Sequence, residues 1–122
     1  MSKPTAFIVE DDDKLAEIFS LALKMAGFEV ESAQDGAVAL ARLSEIEPNL
    51  ILLDLHLPNV SGDEILRAVR ADARIAKTHV FLATADQILA ETLQDDVTLV
   101  LLKPISVTQL QLLASRILPP TP

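Results

Sequence analysis

Four carboxylates in succession, Glu10-Asp11-Asp12-Asp13, follow directly on the apolar run Ala6-Phe7-Ile8-Val9. Like charges so close repel, and such a cluster must bind a cation or have its pKa values pushed upward. Other polar residues stand in the same relation to an apolar run: Asp54 after Leu50-Ile51-Leu52-Leu53, Thr84 after Val80-Phe81-Leu82-Ala83, and Lys103-Pro104 after the stretch from Val97 to Leu102. Carboxylates, a hydroxyl and an ammonium are the groups that phosphate and metal chemistry employs. Oxygen ligands without a His or Cys cluster point to a hard ion, Mg2+ before Ca2+ or Zn2+. Singly, each residue has a plainer role. Asp12 and Asp13 read as helix N-cap and first-turn residues rather than ligands. Asp54 alone reads as a turn former, Thr84 as a β-branched strand residue, and Lys103 as a surface charge. Their shared position at the ends of apolar runs argues for the chemical reading.

The elements that must bring these residues together can be read from periodicity. The near-continuous runs at Ala6 to Val9, Leu50 to Leu53, Val80 to Ala83 and Val97 to Leu102 predict strands buried on both faces. Phe28-Glu29-Val30-Glu31-Ser32 alternates, as an edge strand with one wet face would. Between the runs, Leu15, Ile18, Phe19, Ala22 and Met25 recur at helical spacing and are followed by Gly27, which suits a helix C-terminus. Ala37 to Ile46 predicts a second helix, Ile65, Leu66 and Val69 a third after Ser61-Gly62, and Val107, Leu110, Leu113 or Ala114, and Ile117 the last. Asp86 to Asp95 carries the weakest helical pattern, with Ile88, Leu89 and Leu93. Strands alternating with helices imply right-handed crossovers and a parallel sheet with helices on both faces. A site then forms at the carboxyl ends of the strands, where strand order reverses.

Composition bounds the partners. At 122 residues the chain is one domain by length, with half its residues apolar but no Trp or Tyr and only four Phe. The core must be aliphatic. Few aromatic platforms argue against binding single-stranded nucleic acid, and a formal charge of −8 argues against any phosphate backbone. A small cation or a basic protein surface is the expected partner. The absence of cysteine excludes disulfides and thiolate sites. No apolar run approaches a membrane span and no secretory h-region follows Met1-Ser2-Lys3-Pro4, so a cytoplasmic, soluble protein is expected. The chain divides into a domain over residues 1–118 and a Pro-rich end over 119–122, either a frayed tail or the stub of a linker.

Taken in order, Ile8-Val9-Glu10-Asp11-Asp12, Leu52-Leu53-Asp54-Leu55-His56-Leu57-Pro58-Asn59-Val60-Ser61-Gly62, Leu82-Ala83-Thr84-Ala85 and Lys103-Pro104-Ile105 resemble the motifs of the CheY-like receiver domains of response regulators in two-component signalling. The resemblance runs over essentially the whole chain. It implies a flavodoxin-like, doubly wound parallel sheet of strand order 2-1-3-4-5. It implies a phosphorylation-dependent switch rather than a turnover enzyme, with Asp54 as phosphoacceptor from a histidine kinase or phosphotransfer protein. Asp11 and Asp54 would ligate Mg2+ directly, with the His56 backbone carbonyl as a third ligand and Glu10 acting through water. Thr84 and Lys103 would contact phosphoryl oxygens, and Pro104 would hold the Lys103-Pro104 bond cis. His56 and Asp86, each two residues past a site residue, would flank the water that hydrolyses the acyl phosphate and set its lifetime. Output would pass to a downstream protein or a fused output domain, and the face of the fourth helix, fifth strand and last helix could form a homodimer.

The pattern also departs from the family. Val100 stands three residues before Lys103, where an aromatic residue is usual, and the stretch from Thr84 to Lys103 is shorter, with Leu93-Gln94-Asp95-Asp96 in place of a Gly-containing turn. The fourth helix is therefore expected to be short, shifted or mobile. The alternative is a pseudo-receiver, an interaction module that works without phosphorylation. A phosphatase of the haloacid dehalogenase kind fits less well, because its nucleophile would follow the first strand, within an Asp-x-Asp motif.

Overall fold

An apolar run is stable as a strand only where its faces are covered, and this chain covers them by laying a helix across the sheet after each strand. The computed structural model describes residues 3–118; Pro119 to Pro122, and with them the expected tail, lie outside the described residues. The elements are β1 (Thr5–Val9), α1 (Asp13–Met25), β2 (Glu29–Ala33), α2 (Gly36–Leu43), β3 (Leu50–Leu53), α3 (Gly62–Ala71), β4 (His79–Thr84), α4 (Gln87–Leu93), a 3-10 helix (Gln94–Asp96), β5 (Leu99–Leu102) and α5 (Val107–Arg116). All strand pairs are parallel and the sheet order is β2-β1-β3-β4-β5, as the resemblance implied. Strand order reverses between β1 and β3, so the carboxyl ends of these two strands frame the crevice. No helix among the described residues is long and apolar enough to cross a membrane.

Alternation along the strands sorts the core into two layers. Ala6, Ile8, Leu50, Leu52, Phe81 and Leu101 face α1 and α5, where they meet Phe19, Ala22, Leu23, Leu110 and Ala114. Phe7, Val9, Ile51, Leu53, Val80 and Leu82 face the other way, onto Ala39, Leu43, Ile65, Leu66 and Val69 of α2 and α3. Each fully buried aliphatic or Phe side chain contributes about 1.5–3 kcal/mol, so these layers fix the strand ends firmly.

Three expectations need correction. On α1, Ile18 and Met25 are exposed, 42% and 57%, while Ala16 and Leu23 are buried. The helix is rolled so that small Ala16 and Ala22 are buried and Ile18 and Met25 face outward. The stretch from Val97 to Leu102 is not a strand buried on both faces: the strand begins at Leu99, Leu99 and Val100 are half-buried and Leu102 is exposed. Only β4 pairs with β5, so it is an edge, and α4 above it buries a single residue, Ala90. The second helix also stops earlier than expected, at Leu43, where the Arg74 guanidinium takes up the Leu43 carbonyl at 2.8 Å.

Candidate functional site

The site grows out of the ends of β1, β3, β4 and β5. Glu10 follows β1, and its N–H donates to Ala33 O of β2 at 3.1 Å, so the neighbouring strand fixes where its side chain starts. Asp54 follows β3, with its N–H given to Val9 O at 3.0 Å. Thr84 ends β4, and its carbonyl accepts the Lys103 N–H at 2.9 Å, tying the end of β5 to that of β4. Backbone ladders thus hold all four residues in register.

Close approach demands small residues at one point. A Cβ on Gly62 would stand 2.1 Å from the Asp54 carbonyl oxygen, so only glycine lets the first turn of α3 pack against the Asp54 backbone. Asn59, at φ 69, holds the preceding loop by a side-chain hydrogen bond to Asp35, the N-cap of α2. These two contacts were not foreseen from the sequence. Glycine within the motif was a visible signal; the bond between Asn59 and Asp35 had none.

Glu10, Asp54 and Thr84 are almost fully buried, at 2%, 6% and 0% exposed, which for two carboxylates requires a counter-charge. Lys103 Nζ supplies it, 2.6 Å from Glu10 Oε1 and 3.4 Å from Asp54 Oδ2. Glu10 Oε2 also accepts the Asp12 N–H at 3.2 Å, and Asp54 Oδ1 accepts the His56 N–H at 3.3 Å. Burial pushes the Glu10 carboxyl above its ordinary value, against the hydrogen bond from Lys103 and with the help of the Asp54 charge. Burial works to lower the Lys103 ammonium, but the Glu10 hydrogen bond and the Asp54 charge outweigh it and the ammonium is held above its ordinary value. Lysine therefore stays charged between the two acids. The Lys103-Pro104 peptide is cis.

Carboxylate oxygens of Glu10, Asp11 and Asp54 lie within 4.8 Å of one another and could hold a metal ion. The donor set fits a hard cation: it is oxygen only, and Asp11 is exposed and available. Asp12 and Asp13 act as read above, with Asp12 Oδ1 capping the Lys14 and Leu15 N–H groups at 3.0 Å. Thr84 Oγ1 accepts the Asp86 N–H at 3.0 Å, which leaves the hydroxyl proton to be donated elsewhere. The side chains of His56 and Asp86 meet, Nε2 to Oδ2, at 3.0 Å. The Leu89 N–H, and then the His56 ring, hold the Asp86 carboxyl below its ordinary value. Val100 stands apart from this group, half-buried, with Ala90, Glu91 and Leu102 beside it in a groove of about 200 Å³ between α4 and β5.

The family model of the response regulator receiver domain matches residues 6–115. CheY4, a chemotaxis response regulator of Vibrio cholerae, superposes with a TM-score of 0.86 at 27% identity, covering 96% of this chain and all of that one. In sequence the chain is 38% identical over 82 residues to RpaA of Synechocystis, a DNA-binding dual master transcriptional regulator, covering 67% of this chain and 34% of that protein. It is 40% identical over 68 residues to the DNA-binding response regulator MtrA of Mycolicibacterium smegmatis, covering 56% of this chain and 30% of that protein. The chain thus spans about a third of the length of these curated relatives. With the acidic cluster, buried threonine and bridging lysine at the ends of a sheet of this order, the match places the chain in the response regulator receiver domain family.

Proposed function

We propose that this chain is a phosphorylation-dependent signalling switch in which Asp54 accepts a phosphoryl group from the phosphohistidine of a histidine kinase or phosphotransfer protein. The observation that carries this reading is Lys103 Nζ held between Glu10 and Asp54 at 2.6 and 3.4 Å, beside a fully buried Thr84. In the transfer an Asp54 carboxylate oxygen forms a bond to phosphorus as the bond from phosphorus to the imidazole nitrogen of the donor breaks. The electron pair returns to that imidazole and an acyl phosphate remains. Lys103 turns from Asp54 toward a phosphoryl oxygen, and the Thr84 hydroxyl donates its free proton to another. Asp11, Asp54 and the His56 carbonyl, with Glu10 through water, would hold Mg2+, which would supply neutralising charge when bound.

Depressions of about 440 and 510 Å³ lie elsewhere, around Pro48 and Lys77 and between α1 and β2. The chain is read as cytoplasmic and as a switch without turnover of its own. Output passes by contact at the face of α4, β5 and α5, where Ile88, Leu102 and Leu112 are exposed, to a separate protein, a fused domain or a second copy. DNA contact, named for RpaA and MtrA, would belong to a part of the protein outside this chain. His56 and Asp86 flank the attacking water and set the acyl phosphate's lifetime; unchanged dephosphorylation in His56→Ala and Asp86→Ala would remove that role.

Val100 and the seven-residue α4 favour a second reading, an interaction module indifferent to phosphorylation. Incubation with acetyl phosphate and Mg2+ separates the two. The switch predicts a phosphoryl mass increment that is lost in Asp54→Ala, and the module predicts none.

A further inference from the structure

Asp86 is a node between three elements. Its N–H is given to Thr84 Oγ1, its Oδ1 accepts the Leu89 N–H of α4, and its Oδ2 meets His56 Nε2, each at 3.0 Å. The helix it caps is lightly packed, with Leu89 and Leu93 only half-buried against the core. α4 spans seven residues, buries only Ala90 and has neither an acidic residue in its first turn nor a basic one in its last. Helices this short are marginal without a cap and packing. The cap is also unlike the others: Asp86 sits at φ −87 and ψ 87, whereas Asp12, Asp35 and Ser106 cap α1, α2 and α5 from extended backbone.

We propose that the contact between His56 and Asp86 is a latch that positions the start of α4 while Asp54 is unmodified and opens when Asp54 carries a phosphoryl group. The proposal rests on the receiver reading of Asp54. A phosphoryl group brings close to two negative charges and three acceptor oxygens. It arrives on a carboxylate that already accepts the backbone N–H of His56 at 3.3 Å, so a doubly charged acceptor stands two residues from His56 and repels the Asp86 carboxylate. A neutral imidazole with its proton on Nε2 donates as an imidazolium does, so the latch works in either charge state. The Thr84 hydroxyl, drawn to the phosphoryl group, carries the Asp86 N–H with it. Contacts therefore differ between the two states, as any switch requires. The His56 side chain is 68% exposed and that of Asp86 32%, so the pair is weak, and a contact meant to be exchanged must be weak.

Hydrogen exchange at the amides of residues 87–93, measured on the whole chain with and without phosphoramidate and Mg2+, tests the latch, with intact mass reporting occupancy of Asp54. In the wild type, phosphorylation raises exchange there about fivefold, while β1 and β3 are unchanged. His56→Ala shows the raised rate before phosphorylation and no further rise after it. His56→Gln, which keeps a donor, behaves as the wild type. Equal occupancy with the full rise retained in His56→Ala overturns the latch and leaves the receiver reading standing. Failure of the wild type to take up phosphoryl overturns both.

Discussion

α1 and α4 each follow a strand whose end builds the site, yet they are held in opposite ways. α1 runs for 13 residues, takes two N–H groups into its Asp12 cap and buries Ala16, Phe19, Ala22 and Leu23. α4 runs for seven, takes one N–H into its Asp86 cap and buries Ala90 alone. Beside α1 lies Glu10, fixed by burial and by Lys103; beside α4 lies Asp86, partly exposed and bound to an exposed histidine. The lesson is a division of labour within one sheet edge. The buried groups of the site stand where the core over-determines them, and the loosely held helix stands where few contacts oppose its movement.

The contrast breaks most readily in unfolding measurements. Phe19→Ala should cost about 3–5 kcal/mol by urea denaturation, because a buried ring leaves a cavity between α1 and the sheet. Leu89→Ala, at a half-buried position on α4, should cost about 1 kcal/mol. Similar losses in the two variants would show that α4 is part of the same cooperative core. Next in size is the anchored chemistry. Lys103→Met should slow phosphorylation of Asp54 by acetyl phosphate about 100-fold, the cost of removing one preorganised charge, while far-ultraviolet circular dichroism stays that of the wild type. A rate within a factor of about three would mean that Lys103 is structural only, serving Glu10.

How far these regions were legible differs for a physical reason. Glu10, Asp54, Thr84 and Lys103 could be read because each follows a run whose apolar character forces it into the sheet, and sheet order then brings the strand ends together. The roll of α1 could not. Leu15, Ala16, Ile18, Phe19, Leu21, Ala22, Leu23 and Met25 are apolar around most of the helix, so two stripes satisfy the same spacing, and only the sheet's position selects the one with Ala16 and Leu23 inside. The start of β5 was misplaced because Val97-Thr98 has strand composition but lies in the connection, where the Thr98 hydroxyl accepts the Val80 N–H. The pairing of His56 with Asp86 joins residues 30 apart through side-chain rotamers, which no periodicity encodes.

A smaller effect sharpens the comparison at the helix starts themselves. Asp12→Ala should lower global stability by about 1 kcal/mol, since α1 unfolds with the core and its cap is lost for the whole molecule. Asp86→Ala should leave the denaturation midpoint where it was and show only as faster exchange at residues 87–93. If Asp86→Ala moved the midpoint as far as Asp12→Ala, α4 would be no looser than α1.

The finest distinction is a pH dependence at α2, whose cap ties the loop after Asp54 to the core. The Val38 N–H, then the Asn59 side chain and the Ala37 N–H, hold the Asp35 carboxyl below its ordinary 3.8. A carboxyl so depressed binds its proton more readily in the unfolded chain, so its contribution is complete above about pH 4 and is lost as pH falls through the lower folded value. Asp35→Asn keeps a good capping side chain but cannot titrate. At neutral pH the wild type should be slightly the more stable, and the gap should close as pH falls from 5 to 3. Denaturation midpoints of the two proteins across that range are the check. A gap that held constant would mean that the charge on Asp35 adds nothing to its hydrogen bonds, and that the loop carrying Asn59 is fixed by Gly36 and Gly62 packing against its backbone.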